Sequence, residues 1–379
     1  MKETLYQLNQ KGQVKVWIIE AKDLGKFGAE YTISSGLVSG AHVHNTTRVL
    51  EGKNIGKANE TSPWTQTLAE ANAKVELKIR EGYARDISKI TGSDVLGSGT
   101  PQPMLAQKHS PDGSQSSSKT LKQIGILDKK IIVQPKLDGN RCLVIVKHGK
   151  AQMYTRKGDL MKVQLAHILA DVELLAGNED IILDGELFSD QISFNSLNGL
   201  IKRVTVTDGD ISKRLLIKYN LYDTISANGY EFRKEAIKKF ATHNIIVVPS
   251  YEIVATDENV KNWLERFLSE GHEGLMIRQL GIPYEHKRTW QLCKVKVFED
   301  SEFKLVDFDE DARGGFVGAF IMQDKAGNMF GAGASGQSVE ERTFMWENRG
   351  NYIGKMATVE YFGMSEYGIP RFPKFKGTA

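Results

Sequence analysis

The apolar and polar positions of the first hundred residues predict a small sheet followed by one helix. Three runs of strand-forming residues lie between Gly-rich turns, at residues 14–20, 31–37 and 42–50. A helix is predicted over residues 64–79, because apolar side chains recur there at helical spacing and Thr61-Ser62-Pro63 supplies a start signal. Residues 1–97 are therefore predicted to form a separate module.

Residues 98–120 break this pattern. Gly, Ser and Pro dominate the stretch, which is typical of a linker with flexible portions. Met104-Leu105-Ala106 forms a short apolar island that can dock on the domain that follows. The pattern therefore predicts a boundary between the first module and the rest of the chain.

Residues 121–298 alternate apolar strands with amphipathic helices, an α+β pattern. Helices are predicted over residues 163–176 and 231–242, and from an N-cap at Asp257 to residue 269. Strands are predicted over residues 181–188, 215–224 and 245–254. There is no Gly-rich dinucleotide or P-loop signature. From residue 299 the pattern becomes all-β, and about four or five short strands favour a barrel of the OB-fold type.

Composition adds limits rather than a function. The 379 residues, 40% hydrophobic and 26% charged, are typical of a globular protein with two or three domains. The net charge of +3 permits a polyanionic partner without requiring one. Cys142 and Cys293 lie in apolar runs without metal-ligand spacing, which indicates free thiols in a reducing cytoplasm. The N-terminus lacks an apolar signal core and no run approaches a membrane span, so we expect neither export nor a membrane partner.

The hexapeptide KLDGNR, from Lys136 to Arg141, is the main candidate for chemistry. It places a lysine at the end of an apolar run and next to an Asp-Gly turn, where a rigid element can hold a nucleophilic amine. The structural alternative is a β-hairpin with an Asp-Gly turn and a solvated lysine.

Further motifs follow in a fixed order. They are YTRKGD from Tyr154, LDGEL from Leu183, LYD from Leu221, EGLMIR from Glu273, KVK from Lys294 and RFPKFK from Arg371. Together with KLDGNR, this series resembles the covalent nucleotidyltransferases, which include ATP-dependent DNA ligases, RNA ligases and mRNA capping enzymes. The chain is most similar to the compact ATP-dependent DNA ligases of bacteriophages.

The resemblance implies an architecture. Residues 1–97 resemble the small β-plus-helix, WGR-like modules of some phage ligases and would bind DNA; a folding or oligomerisation appendage is the alternative. Residues 98–120 would be a linker, residues 121–298 an ATP-grasp-like nucleotidyltransferase (adenylation) domain, and residues 299–379 an OB-fold β-barrel.

The resemblance also implies a reaction and its residues. ATP would adenylate Lys136, AMP would pass to a 5′-phosphate, and the 3′-hydroxyl at the nick would expel AMP. Lys294 and Lys296 share one strand face and would hold the α-phosphate. Other nucleotide contacts would come from Gln134 at the adenine edge, Leu137, Arg141 at the ribose or phosphates, Glu186 near the ribose, Tyr222 stacked on adenine, and Arg278.

Metal and DNA contacts complete these expectations. Glu273 and Glu186 would bind Mg²⁺, with Mn²⁺ as a substitute. Arg156 would recognise the 5′-phosphate, and Lys53 and Lys57 would contact the backbone of duplex DNA. Arg371 and Lys374 would orient the pyrophosphate leaving group when the OB domain closes.

The expected protein is a cytoplasmic, monomeric ligase of DNA replication, repair and recombination, without an obligate protein partner. If phage-encoded, it would act in the cytoplasm of the bacterial host. Two alternatives remain: an RNA ligase or capping-type RNA nucleotidyltransferase, and a nucleic-acid-binding protein with an inactive transferase fold. The intact lysine and glutamate motifs argue against the second.

Overall fold

The computed structural model describes residues 1–9, 11–90, 92, 95–96, 99–111, 117–205, 207–311, 314–334 and 336–378. Internal contacts group the chain into two compact units. One unit comprises Met1–Tyr6, Val14–Leu77 and Val297–Ala379, and the other comprises Gln7–Gln13 and Lys78–Lys296. Among the described helices, none is long and apolar enough to cross a membrane.

A four-stranded sheet opens the chain. Its strands, in spatial order, are β1 (Lys2–Leu8), β2 (Val14–Asp23), β3 (Ala29–Leu37) and β4 (His42–Val49). Helix α1 (Pro63–Arg80) follows, and the Lys74 amine lies 5.4 Å from the ring centre of Tyr31 on β3. The three predicted strands and the helix are confirmed. Strand β1 was not predicted, because its two buried positions are Leu5 and the polar Gln7.

Between residues 105 and 295 the described residues form two sheets. The five-stranded sheet has the order β12-β11-β10-β8-β9 and the six-stranded sheet the order β13-β7-β14-β15-β5-β6. The strands are β5 (Leu105–His109), β6 (Ser118–Lys119), β7 (Lys130–Lys136), β8 (Asn140–Lys147), β9 (Lys150–Thr155), β10 (Ile181–Phe188), β11 (Lys218–Thr224), β12 (Ile245–Val247), β13 (Tyr251–Val254), β14 (Gly274–Gln279) and β15 (Arg288–Val295).

Helices cover one face of each sheet. The helices of this region are α2 (Leu121–Ile124), α3 (Ala166–Ala176), α4 (Phe194–Lys202), α5 (Asp208–Arg214), α6 (Tyr230–Ala236) and α7 (Asp257–Ser269). Short 3₁₀ turns span Gly25–Phe27, Ile87–Lys89, Ile237–Phe240 and Arg349–Asn351. On β8, Val144 and Val146 join the core with α3, and on β7, Ile131 and Val133 join the core with α7. Because side chains alternate along a strand, the residues between them point to the opposite face.

Three sequence predictions for this region are wrong. Residues 245–254 are not one strand but β12 and β13, which lie in different sheets. The helix predicted from residue 163 begins at Ala166, and the cap of α7 is Thr256 rather than Asp257, because the Thr256 hydroxyl accepts from the amide of Asn259 at 3.1 Å. Helices α4 and α5 were not predicted.

The predicted linker at residues 98–120 contains two strands where the structure describes it. Strand β5 runs parallel to β15 and β6 pairs with β5, so this segment extends the six-stranded sheet. Met104 is 3% exposed and its amide donates to the Tyr284 hydroxyl at 2.9 Å, which agrees with the expected docking of the apolar island. Residues 97, 98 and 112–116 of the boundary and linker predictions lie outside the described residues.

The C-terminal part is a closed barrel with the strand order β16-β17-β18-β20-β19. Its elements are β16 (Glu299–Glu310), β17 (Val317–Gln323), β18 (Met329–Gly333), α8 (Val339–Glu347), β19 (Met356–Tyr361) and β20 (Lys374–Thr378). The last strand inserts between the third and the fourth, the closure expected of a Greek-key OB barrel. Phe320 and Phe375 stack in its core with ring centres 3.8 Å apart.

Candidate active site

Lys136 is the last residue of β7, and β8 begins at Asn140 in the other sheet. The hairpin alternative is therefore wrong: the residues between them cross from one sheet to the other. Gly139 makes this crossing possible, because a Cβ at this position would lie 2.4 Å from the Leu187 carbonyl oxygen on β10. The lysine thus lies at the end of the cleft between the two sheets.

Glu273 lies beside Lys136 although the sequence separates them by 137 positions. Its amide donates to the Lys136 carbonyl at 2.9 Å, because β14 pairs with β7. Its carboxylate, whose side chain is 5% exposed, contacts the ammonium groups of both Lys136 and Lys296. Gly274 permits this arrangement, since a Cβ there would lie 2.3 Å from the Val295 carbonyl oxygen.

Lys294 and Lys296 come from the end of β15, the strand next to β14. The strand ends at Val295, so Lys296 lies one residue beyond it. Burial lowers the pKa of Lys294 to about 8, and the charges of Lys296 and Lys136 add to this effect. Burial also lowers the pKa of Lys296, against the opposing charge of Glu273. Three ammonium groups therefore crowd one end of the cleft, which suits an anionic ligand.

The five-stranded sheet contributes a row of polar groups to the same cleft. Glu186 on β10 pairs with Arg141 on β8, and Arg156 directly follows Thr155, the residue of β9 that pairs with Cys142. Burial raises the pKa of Glu186 to about 7, although the charges of Lys136 and Arg141 oppose the shift. The Tyr222 hydroxyl donates to Glu186 Oε2 at 3.5 Å. The structure thus brings Lys136, Arg141, Glu186 and Tyr222 together in this cleft, and their roles toward a nucleotide stay predictions.

Arg156 is an exposed residue directly after β9. Partial burial of its guanidinium and the nearby charge of Arg141 lower its pKa. An arginine whose neighbour is another arginine has unused capacity for an anion. Leu137, partly buried, follows Lys136, whose amine donates to the Leu137 carbonyl at 3.4 Å.

Two arginines predicted to contact the nucleotide are already paired with buried aspartates. Arg141 Nε donates to Asp184 Oδ1 at 2.9 Å and its Nη2 donates to Asp184 Oδ2 at 2.5 Å. Arg278, 4% exposed, donates from Nη1 to Asp223 Oδ2 at 2.6 Å. The guanidinium carbons of Arg141 and Arg278 lie 5.8 and 5.3 Å from the Tyr222 ring centre.

The sequence reading missed these aspartates and their further partners, Arg233 and Tyr284. Tyr284 donates to Asp184 at 2.6 Å, and Arg233 on α6 donates to Asp223 at 2.7 Å. One signal was available in the sequence: Asp184 and Asp223 each stand inside an apolar strand, where a carboxylate needs a partner. The sequence did not indicate which arginine would pair with each aspartate.

The predicted DNA-binding lysines and the OB-motif residues belong to the other compact unit. Lys53, in the loop before α1, forms a 3.2 Å ion pair with Glu70, while Lys57 in the same loop is exposed. In the barrel, Lys374 forms a 3.3 Å ion pair with Glu360. The Arg371 guanidinium lies 5.8 Å from the ring centres of Phe362 and Phe372.

Comparison with known proteins identifies the domains. A family model described as "ATP dependent DNA ligase domain" matches residues 103–296, and one described as "DNA ligase OB-like domain" matches residues 313–378. A DNA ligase of African swine fever virus is 24% identical over 363 residues, covering 86% of this chain and 78% of the viral protein. A DNA ligase of Haemophilus influenzae is 29% identical over 253 residues, covering 64% of this chain and 85% of the bacterial protein.

Solved structures agree with this fold. One, described as "DNA binding with a minimal scaffold: Structure-function analysis of Lig E DNA ligases", has a TM-score of 0.57 at 21% identity and covers 74% of this chain and all of that chain. Another, described as "Pmar-Lig_PreS3", has a TM-score of 0.60 at 22% identity and covers 73% of this chain and 68% of that one. At such identity the likeness shows the fold alone.

A lysine at a strand end between two sheets, followed by an OB barrel, defines a covalent nucleotidyltransferase. Within that class the chain belongs to the ATP-dependent DNA ligase family, whose model spans residues 103–296, about half of the chain. The predicted family, enzyme class and dependence on ATP are confirmed. The WGR-like character of the N-terminal module and the domain boundaries at residues 97, 120 and 298 stay predictions.

Proposed function

We propose that this ATP-dependent DNA ligase seals 5′-phosphate/3′-hydroxyl nicks in duplex DNA through a lysyl-AMP at Lys136. The single observation that carries the proposal is the meeting of Lys136, Glu273 and Lys296 at one end of the cleft. A phosphate monoester has no good leaving group, so the 5′-phosphate must first be activated. Transfer of AMP from Lys136 to that phosphate provides the leaving group that the 3′-hydroxyl then displaces.

The first step joins the Lys136 amine to the α-phosphorus of ATP and breaks the bond to pyrophosphate. The amine must be neutral to attack, and the Glu273 carboxylate in contact with it is placed to take up its proton. The ammonium groups of Lys294 and Lys296 would hold the α-phosphate oxygens. Because the pKa of Lys294 is about 8, an arriving phosphate would stabilise its charged form.

Glu186 and Glu273 fit the role of Mg²⁺ ligands. Both are carboxylates of the same cleft, and the charge of Glu273 raises the pKa of Glu186. The described residues contain no cluster of three or more His, Cys, Asp or Glu side chains. A site with one or two carboxylates, completed by phosphate oxygens and water, is typical of Mg²⁺. When bound, the ion would neutralise charge on the phosphates; Mn²⁺ would substitute for it.

The other roles rest on position and charge. Gln134, on the same face of β7 as Lys136, would contact the adenine, and Tyr222 would stack on it. Arg156 would bind the 5′-phosphate of the nick, since it follows the strand that pairs with β8. Arg371 and Lys374 would act on the pyrophosphate, and the N-terminal module would bind duplex DNA.

Incubation with α-labelled ATP and Mg²⁺, followed by a denaturing gel, tests the proposal. We expect covalent labelling of the wild-type protein and none of Lys136→Ala, which should still join a pre-adenylated nick slowly, because the last step does not use this amine. Lys147→Ala, an exposed lysine at the other end of β8, is the matched control and should be labelled normally. Labelled Lys136→Ala would contradict the assignment, and labelling by GTP in place of ATP would point to a capping-type reaction.

A further inference from the structure

A chain of polar contacts connects helix α6 to strand β7 behind the proposed nucleotide site. Arg233, 2% exposed, donates from Nε to Asp223 Oδ1 at 2.7 Å and from Nη2 to Oδ2 at 3.3 Å. Asp223 Oδ2 also accepts from Arg278 Nη1 at 2.6 Å. Arg278 Nε donates to Gln134 Oε1 at 2.7 Å, and Gln134 Nε2 donates to Ser250 Oγ at 3.0 Å.

These contacts fix which end of the Gln134 amide points in which direction. A guanidinium can only donate hydrogen bonds, so the group that Gln134 presents to Arg278 must be its oxygen. The amide nitrogen is then directed at the Ser250 hydroxyl, which in turn donates to the Val248 carbonyl at 3.3 Å. An amide oxygen has a second lone pair, so Gln134 can still accept one hydrogen bond.

We infer that Arg233 is a positioning residue that makes the enzyme select adenine over guanine, acting through Asp223, Arg278 and Gln134. The inference rests on the proposed contact between Gln134 and the base. Adenine carries an amino group at C6, which can donate to the remaining lone pair, whereas guanine carries an acceptor oxygen there. Two facing acceptors repel, so an oxygen held in this direction rejects guanine.

Arg233 fixes this series of polar contacts, because hydrogen bonds to two loops set its own position. Its Nη1 donates to the Asn228 carbonyl at 2.6 Å and to the Ile282 carbonyl at 2.8 Å. With both oxygens of Asp223 occupied, Arg278 can bind Asp223 through Nη1 alone and direct Nε to Gln134. A lysine at position 233 cannot reproduce the planar fork, so Asp223 would be free to rotate and draw Arg278 away from Gln134.

The test measures lysyl-nucleotide formation with labelled ATP and labelled GTP over a range of concentrations, for wild type and Arg233→Lys. We expect the KM for ATP to rise with little change in kcat, because a base contact binds substrate and transition state alike. The ATP/GTP ratio of kcat/KM should fall about tenfold, the equivalent of roughly one oriented hydrogen bond. Arg214→Lys is the matched control, because Arg214 also donates to a backbone carbonyl, that of Leu200, and its ratio should not change.

Ser250→Ala provides a second variant, since it frees the nitrogen end of Gln134 without altering a charge. It should lower the ATP/GTP ratio in the same direction by about threefold, and thermal unfolding would verify that each variant is folded. If Arg233→Lys lowers Tm or kcat while the KM for ATP and the ratio stay constant, Arg233 is only structural and the inference is wrong. Should Arg233→Lys fail to fold, an unchanged ratio in Ser250→Ala overturns it. Absence of any labelled wild-type protein would instead contradict the proposed function, and the inference with it.

Discussion

At the scale of single residues, neighbouring charges give two glutamates of one cleft different properties. Glu273 contacts two ammonium groups, whereas Glu186 has a hydrogen bond from Tyr222 and a pKa raised to about 7 by burial. A buried carboxylate stays charged only where partners replace its lost hydration. Because it contacts both ammonium groups, Glu273 is the better placed of the two to bind a cation beside Lys136.

Replacing Glu273 by glutamine tests this difference. The variant keeps the size of the side chain but removes the charge that contacts Lys136 and Lys296, and it deletes a proposed ligand of the metal. We expect the rate of lysyl-AMP formation to fall by about 100-fold, at the upper end of losses at metal sites. The rate is measured over a series of Mg²⁺ concentrations, with circular dichroism to verify folding. Glu270→Gln, in an exposed pair with Arg266, is the control, and a wild-type rate in Glu273→Gln would rule out the metal role.

Arg156→Ala should separate the two transfers of AMP. Arg156 directly follows the strand that pairs with β8, and we propose that it binds the 5′-phosphate of the nick rather than ATP. Its loss should therefore leave self-adenylation within about twofold of wild type and slow transfer to nicked DNA by about 100-fold, as expected for a charged hydrogen bond to phosphate. Single-turnover assays of each step, with Lys157→Ala as the neighbouring control, make the comparison. Equal losses in both steps would place Arg156 in the ATP site instead.

At the scale of elements, the site depends on strands that end at the same place. Strands β7, β14 and β15 are neighbours in one sheet. The end of β7, the start of β14 and the end of β15 lie side by side, and they bring Lys136, Glu273 and Lys294 together. The same sheet is extended by β5 and β6, which continue it beyond β15. The sheet that carries the proposed catalytic side chains is thus extended by a segment whose composition is typical of a linker.

His109, the last residue of β5, gives this segment a pH dependence. It is 1% exposed, its Nδ1 donates to the Lys119 carbonyl at 2.9 Å, and among the described atoms its Nε2 has no hydrogen-bond partner. Burial lowers the pKa of His109, against the opposing effects of the Lys119 carbonyl and the Asp257 charge. Below the unfolded pKa of about 6.5 the unfolded chain binds more protons, so stability falls as the pH decreases through that value.

We therefore expect the urea midpoint of the wild type to fall more between pH 7.5 and pH 5 than that of His109→Gln, which keeps a donor but cannot titrate. Urea unfolding at several pH values in that window makes the measurement. His286→Gln is the control, because His286 also bonds a backbone carbonyl, that of Gln102, at 2.7 Å. Parallel curves for wild type and His109→Gln would show that His109 does not contribute to the pH dependence.

At the scale of the whole molecule, the transferase and barrel match ligase family models over residues 103–296 and 313–378, and the N-terminal module is the part whose role is still a proposal. The loop before α1 is well defined: Gly52 approaches Thr61 so closely that a Cβ would lie 1.5 Å from its carbonyl oxygen. In this loop Lys57 is exposed to solvent, whereas Lys53 forms an ion pair with Glu70. A loop of fixed shape with two lysines suits a phosphate backbone.

Replacing Lys53 and Lys57 together by alanine tests whether this module binds DNA. Each phosphate contact releases counterions, so the plot of log affinity against log salt concentration should become less steep. The change in slope should correspond to the loss of up to about two phosphate contacts. Lys57 should account for most of the change, because Lys53 must leave Glu70 to reach a phosphate. Binding to nicked duplex DNA is titrated with salt, and Lys238→Ala with Lys261→Ala removes equal charge elsewhere as the control. An unchanged slope would favour the folding appendage instead.

The sequence by itself determined the order of the motifs, the strands that carry them and the position of Lys136 at a strand end. These features are local: alternation along β7, β10 and β15 sets the face of each side chain, and Asp138-Gly139 lies just beyond the end of β7. From them the family could be predicted, and Lys136 could be proposed as the nucleophile.

Only the tertiary structure decided which strands are partners. KLDGNR would read equally well as a hairpin, but β7 and β8 enter different sheets, because each buries its apolar face against different helices. The ion pair between Lys136 and Glu273 joins residues more than a hundred positions apart in the sequence. So does the hydrogen bond between Arg278 and Gln134, which is part of the series of contacts that begins at Arg233. Such contacts depend on long-range strand pairing and on the burial of charged groups, neither of which leaves a local period in the sequence.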